Sequence, residues 1–329
     1  MEKDQGAPYA GLTPDTVLNA VDSAGLVTDG RQLALNSYEN RVFQVGLDDG
    51  RFVVVKFYRP GRWTDDQIAE EHAFTRELTE QEIPVVTPLI GPEGSTLCHY
   101  AGFRYALFPW QPGRASELGL PEERRMLGRY LGRLHRVGAS ARFDSRPQLT
   151  VEAFGREPVR YLLDHGFLPG YLDQAYRSLA SELVERIAGM MAAVSARTLR
   201  LHGDCHLGNL LWTDTGPHIV DFDDARSGPA IQDVWMLLSG DRGAMQRQLG
   251  EILDGYASFM DFDASEIALI EPLRTLRLIH YSAWLARRWD DPAFPRNFPW
   301  FNTTRYWEEQ VLILREQLAL LDEEPLFPS

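Results

Sequence analysis

Cysteine is nearly absent: Cys98 and Cys205 are the only two in 329 residues. That is too few for a disulfide framework, which excludes the stapled secreted class and points to a reducing compartment. Long apolar runs are missing too. No stretch of about 18 apolar residues is available to span a bilayer. Met1-Glu2-Lys3-Asp4-Gln5 also lacks the charged-then-apolar pattern of a secretory signal, so a cytoplasmic location is expected. Positive charge is in deficit, with 33 Lys and Arg against 47 Asp and Glu and a net charge of −14. Nucleic acids and anionic membranes are disfavoured as partners, because both require cationic stripes. Nothing repeats at a fixed period. His202 and His206 flank Asp204 without a third ligand at zinc spacing, and no Ser-His-Asp set with a nucleophile elbow occurs. His202 is expected to hold its loop by packing and hydrogen bonding, and His206 to line a site.

What is present is ordinary in bulk, with 44% hydrophobic and 24% charged residues, in a chain long enough for two cores. Its chemistry is concentrated in His202-Gly203-Asp204-Cys205-His206-Leu207-Gly208-Asn209-Leu210-Leu211, followed by His218-Ile219-Val220-Asp221-Phe222-Asp223. An aspartate, an asparagine five residues on, and a second aspartate after a short apolar strand are the parts that phosphoryl transfer from a nucleotide requires. That reaction asks the protein to hold metal and phosphates, neutralise spreading charge and orient a hydroxyl. Asp204 is the candidate base. Asn209 and Asp221 offer one neutral and one anionic oxygen, a set that suits magnesium. Asp223 and Asp224 compete for that role, and Asp221 ranks first because the apolar strand ends immediately before it. Cys205 reads as a small packing residue inside the loop.

Two further segments fit the same chemistry. Arg51-Phe52-Val53-Val54-Val55-Lys56-Phe57-Tyr58 is a strong strand signal carrying one cation in its apolar run. Burying Lys56 requires anions, which nucleotide phosphates and a helix glutamate would supply. The helical pattern from Asp65 to Leu78 holds Glu70 and Glu71. Glu71 is favoured, since Glu71, Phe74 and Leu78 share one face, and Glu70 stays open. Before that strand, Leu35 to Val45 reads as strand, polar turn, strand, with no glycine and so no G-x-G-x-x-G. Contacts to phosphate would have to come from the backbone amides of Ser37 to Glu39 and from the Ser37 hydroxyl.

The order Lys56, Glu71, a linker near Phe108-Pro109-Trp110, His202-Gly203-Asp204 to Asn209, then Asp221 resembles the aminoglycoside phosphotransferase and choline kinase branch of the protein-kinase-like fold. Met126 to His135 resembles the helix that precedes the catalytic loop in that branch. The blocks Leu35 to Arg41, Val55 to Pro60, Leu201 to His206, Gly228 to Asp233, Asp291 to Pro295 and Asn297 to Trp300 are similar to bacterial serine/threonine protein kinases of this branch that act in the stress response. The resemblance implies an ATP- and magnesium-dependent cytoplasmic enzyme. It makes Asp204 the proton acceptor, Asn209 and Asp221 the magnesium ligands, Ser37 an ATP contact, and Asp233 a brace for the catalytic loop.

The expected fold is α+β and bilobal. Residues 1–110 form a small β-rich nucleotide lobe ending in a hinge at Pro109, and 111–329 form a larger, mainly helical catalytic and acceptor lobe. Only residues 222–232 separate Asp221 from Asp233, and no A-P-E follows, so a long phosphorylation-switched activation segment is not expected. The acceptor therefore rests on the resemblance: a protein serine or threonine, bound by a monomeric enzyme. A small amino-alcohol or antibiotic kinase is the alternative, and an ATP-binding scaffold without turnover the second. The aromatic and cationic run from Trp284 to Phe301 is expected to be packed core rather than the wall of an acceptor groove.

Overall fold

The computed structural model describes residues 8–115 and 117–328; the N-terminal stretch read for a targeting signal, residues 1–5, lies outside them. In chain order the first elements are α1 (Pro14–Ser23), β1 (Thr28–Ala34), β2 (Arg41–Leu47), β3 (Phe52–Phe57), α2 (Asp65–Glu80), β4 (Cys98–Tyr100) and β5 (Phe103–Pro109). Next come α3 (Pro121–Gly138), α4 (Glu157–Asp164), α5 (Gly170–Ala193), β6 (Leu199–Leu201), β7 (Leu210–Thr213), β8 (Gly216–Ile219) and β9 (Arg226–Gly228). The last are α6 (Gln232–Trp235), α7 (Arg242–Tyr256), α8 (Ile270–Ala286), α9 (Ala293–Asn297) and α10 (Thr304–Leu320). They divide into two compact units: Met1–Glu117 with Phe143–Arg146 and Leu207–Ala225, and the remainder.

The first unit is built on one antiparallel sheet in the order β1-β2-β3-β5-β4. The β-branched run of β3 places it at the centre, with Lys56 between Val42 on β2 and Ala106 on β5. Alternation along the strand does the rest. Val53, Val55 and Phe57 join Val17, Ala20 and Val21 of α1 in one core, while Lys56 points to the opposite face with Ala106. Ile68 of α2 packs on that second face with Ala106 and Tyr58. α2 starts sharply because Thr64 accepts from the Gln67 amide and the Gln67 side chain accepts from the Thr64 amide, a reciprocal cap.

The sequence reading assigned everything after residue 110 to the second lobe, whereas 111–117, 143–146 and 207–225 belong with the first unit. Backbone pairing explains the last segment. The β7–β8 hairpin exchanges two bonds with Arg114 through Trp212, and its other edge bonds Pro84 and Val86 through Ile219. Segment 143–146 is tied by its amides: those of Asp144, Ser145 and Arg146 donate to the Glu70 carboxylate at 2.7–3.0 Å.

The second unit is helical apart from the short β6–β9 pair, which completes the expected α+β arrangement. Its tightest helix pair, α3 against α7, is set by glycine. A Cβ on Gly128 would lie 2.0 Å from the Ile252 carbonyl oxygen, and one on Gly132 2.6 Å from that of Tyr256. The aromatic run near the C-terminus is packed core, as expected: Phe294, Phe298, Phe301 and Trp307 are buried, although Trp300 stays exposed. Gly128→Ala gains about 1 kcal/mol of helix propensity, but it forces two backbones apart at a cost of roughly 1–3 kcal/mol or more. A net fall of several degrees in Tm by calorimetry is expected, and an unchanged or raised Tm would contradict the close approach.

Candidate active site

The residues singled out by sequence fall into two groups, one in each unit. In the first, Lys56 has a side chain only 7% exposed, and its Nζ lies 2.9 Å from Asp223, 3.2 Å from Asp221 and 3.6 Å from Glu71. The choice between the two glutamates is thus resolved in space, since Glu70 is turned to the amides of 144–146. Asp223 is also held by Arg62 at 2.6 Å, and Arg62 reaches Asp224 at 3.0 Å and Glu39 at 3.7 Å. Glu71 has a second cation, the buried Arg146 at 3.5 Å. Arg146 also donates to the carbonyls of Gln67, Asp223 and Ala225, and lies 4.5 Å over the Trp63 ring.

Charge here is strongly coupled. Burial works against the Lys56 ammonium, yet Asp223, Glu71 and Asp221 outweigh it and raise its pKa well above the lysine range. Burial likewise works against the Asp223 carboxylate, and Arg62 and Lys56 reverse it and hold the group well below the usual range. For Glu71, burial wins over the pull of Lys56 and its pKa rises. One member differs in exposure: the Asp221 side chain is 55% exposed against 5% for Asp223. Asp221 also adopts a left-handed backbone, φ 63° and ψ 66°, a conformation rare for residues with a Cβ and concentrated at functional turns.

Asn209 stands at the same hairpin end as Asp221. The β7–β8 ladder ends with Leu210 opposite Ile219, and the Val220 amide continues it by donating to the Asn209 carbonyl at 3.0 Å. Asn209 and Asp221 thus stand on adjacent rungs at one end of the hairpin. Ser37 sits in the loop before β2. Its hydroxyl donates to the Asn40 carbonyl at 2.8 Å, within the glycine-free loop 35–40. That loop is fixed by Glu39 to Arg59 at 3.5 Å and by the Asn40 side chain accepting from the Arg59 amide.

In the second unit, β6 leads into His202, Gly203 and Asp204. The buried Asp233 carboxylate accepts from the His202 and Gly203 amides, both at 2.8 Å, and from His135 at 3.2 Å. Burial opposes this charge, but His135, His202 and the Gly203 amide pull its pKa below the usual value. Gly203 has φ +84°, which a side chain would strain. His202 is buried, and its Nδ1 accepts from the Asp204 amide at 3.3 Å, so it holds the loop from inside. Asp204 keeps its carboxylate at the surface of the unit, where Arg277 of α8 donates to Oδ1 at 2.6 Å and His206 lies 3.4 Å from Oδ2. Cys205 is fully buried, and burial raises its thiol pKa, which fits a packing residue.

Residues 31–270 match the model of the phosphotransferase enzyme family, APH. The chain belongs to that family. Within it, the chain is 46% identical over 321 residues to Stress response kinase A of Escherichia coli (strain K12), which spans 96% of this chain and 95% of the relative. It is 45% identical to Serine/threonine protein kinase RdoA of Salmonella typhimurium (strain LT2), over 98% of both chains. Solved structures with the same fold include an amicoumacin kinase in complex with AMP-PNP and Ca2+, with TM-score 0.74, 18% identity and 95% of each chain covered. A microcompartment-associated aminopropanol kinase follows at TM-score 0.71 and 17% identity, covering 94% of this chain and 98% of that one.

For this phosphotransferase, sequence reasoning missed Arg62, Arg146 and Arg277, which carry no motif and reach their carboxylates only through folding. It also ranked Asp223 solely as a metal competitor, whereas its contacts are to two cations. Asp223→Asn leaves Lys56 and Arg62 buried with too little counter-charge, so a loss of about 3–5 kcal/mol at pH 7 is expected by urea titration. Since folding lowers the Asp223 pKa, its contribution is complete above the ordinary value of 3.8 and lost as pH falls below it. The gap between wild type and variant should therefore narrow from pH 5 towards pH 3; a constant gap would rule out the ionised pairing.

Proposed function

We propose that the chain is a serine/threonine protein kinase of the bacterial stress response, acting in the cytoplasm with ATP and magnesium. The observation that carries phosphoryl transfer is Lys56: a cation buried in mid-sheet whose one well-exposed carboxylate partner is Asp221. The protein acceptor is supported by near full-length likeness to relatives named Stress response kinase A and Serine/threonine protein kinase RdoA.

The donor set fits magnesium. Among the described residues no group of three or more His, Cys, Asp or Glu could hold a metal ion. A cation here would be held by Asn209 and Asp221 and completed by phosphates and water, which is how magnesium is commonly bound. When bound, it supplies charge neutralisation on the phosphate oxygens. Lys56, kept ionised by Asp223 and Glu71, presents a fixed ammonium to the nucleotide phosphates. The backbone amides of residues 37–39 cover them. Ser37 donates to phosphate only by leaving the Asn40 carbonyl, so in the arrangement seen it braces the loop. Asp204 orients the acceptor hydroxyl and takes its proton late, with Asp233 immobilising the backbone ahead of it.

A second reading, a small-molecule acceptor, is favoured by the fold shared with the amicoumacin and aminopropanol kinases and by the short 222–232 segment. Transfer from γ-labelled ATP separates the two. Wild type should label serine or threonine on protein, and Asp204→Asn should lose about 10²–10⁴-fold of that rate while retaining nucleotide binding by calorimetry. Asp221→Asn should lose the magnesium-dependent part of nucleotide affinity. Label found only on small hydroxyl compounds would establish the second reading instead.

A further inference from the structure

We propose that Arg277 selects the acceptor by reading an acidic group beside the acceptor hydroxyl, so that the preferred site is a serine or threonine flanked by Asp or Glu. The inference rests on Asp204 receiving the acceptor. Arg277 Nη1 donates to Asp204 Oδ1 at 2.6 Å, with side chains 41% and 23% exposed. His206 faces the other oxygen. A basic group thus meets each oxygen of the candidate base, against the sign of the chain as a whole at −14.

The guanidinium has five N–H donors in a fork and no acceptor, and Asp204 is its one ion-pair partner among the described residues. Its neighbour one turn back is already compensated: Arg274 lies 3.2 Å from Glu271 and over the Trp235 ring at 5.1 Å. On the same face of α8 beyond Arg277 come Tyr281, which is exposed, and Trp284, whose ring packs on Phe294 and Phe298. The Tyr281 and Trp284 rings stack at 5.7 Å, and Arg288 lies 5.2 Å over Trp284. An extended segment laid along α8 from Asp204 would meet the Arg277 guanidinium and the exposed Tyr281 ring.

A carboxylate offers about four acceptor sites, so a hydroxyl can bond Asp204 with Arg277 still in place. The half-exposed guanidinium then offers its other N–H groups to a carboxylate one or two residues from the hydroxyl as a charge-assisted, two-pronged contact. An ammonium in that place meets like charge. This separates the site from one built to gather cationic acceptors, and so deepens the protein-kinase reading.

The test uses peptides that differ only in the residues flanking one serine, Glu, Gln or Lys, with kcat/KM measured for wild type, Arg277→Lys, Arg277→Gln and Arg277→Glu. Wild type should rank Glu over Gln over Lys, with a roughly five- to twentyfold spread. Arg277→Lys should keep the order, Arg277→Gln flatten it and Arg277→Glu invert it. Each comparison is a ratio within one protein preparation, so a general loss of turnover or folding cancels. A wild-type preference for Lys, or an order unchanged in Arg277→Glu, overturns the inference. If wild type labels no peptide but does label small hydroxyl compounds, the protein-kinase reading fails, and the same ratio is read on hydroxy acids against amino alcohols. A preference for hydroxy acids there sustains the role of Arg277, and a preference for amino alcohols overturns it.

Discussion

A lysine buried in the middle strand of a sheet is the constraint around which the first unit is arranged. Moving one ammonium out of water costs several kcal/mol unless anions meet it, and each anion brought in must itself be compensated. The chain resolves this by accretion. Asp223 meets Lys56, Arg62 meets Asp223, Glu39 and Asp224 meet Arg62, and Arg146 meets Glu71. The result joins the glycine-free loop, α2, the turn after β8 and segment 143–146 in one electrostatic network.

The second unit solves a different problem, that of holding a sharp, buried turn still. Asp233 gathers two consecutive amides and a histidine, and Gln232 takes the Gly203 carbonyl at 3.1 Å. His135 is in turn bonded to Tyr256 of α7, and α7 is locked to α3 by the glycine contacts. Rigidity at Asp204 therefore descends from helix packing several residues removed from any chemistry.

The sequence was legible where one residue type has one physical use. β3 was legible because β-branched residues surround a single cation, and the hairpin that carries Asn209 and Asp221 because short apolar runs adjoin them. Glu71 could be favoured over Glu70 because helix geometry puts it on the packed face. Arginines were not legible: Arg62, Arg146 and Arg277 have long stems and exposed-looking contexts, and the sequence holds nothing to say which carboxylate each will find. The grouping of 207–225 with the first unit was not legible for a related reason. Chain order says that 207–225 follows the helices, but the free backbone edges of β7 and β8 are taken up by Arg114 and by Pro84 and Val86 of the first unit.

Glu70 shows where solvent exposure misleads. By surface area it is an ordinary half-buried helix residue, yet its two oxygens collect three consecutive amides and so act as a built-in anion in a backbone nest. Arg146, at the end of that nest, is one of the two cations that meet Glu71, Lys56 being the other. The helix thus carries adjacent glutamates with opposite duties: one is held by an arginine, and the other holds the peptide segment that delivers it. The placement of residues 144–146 is therefore set on α2, one position away from the residue whose charge Arg146 meets.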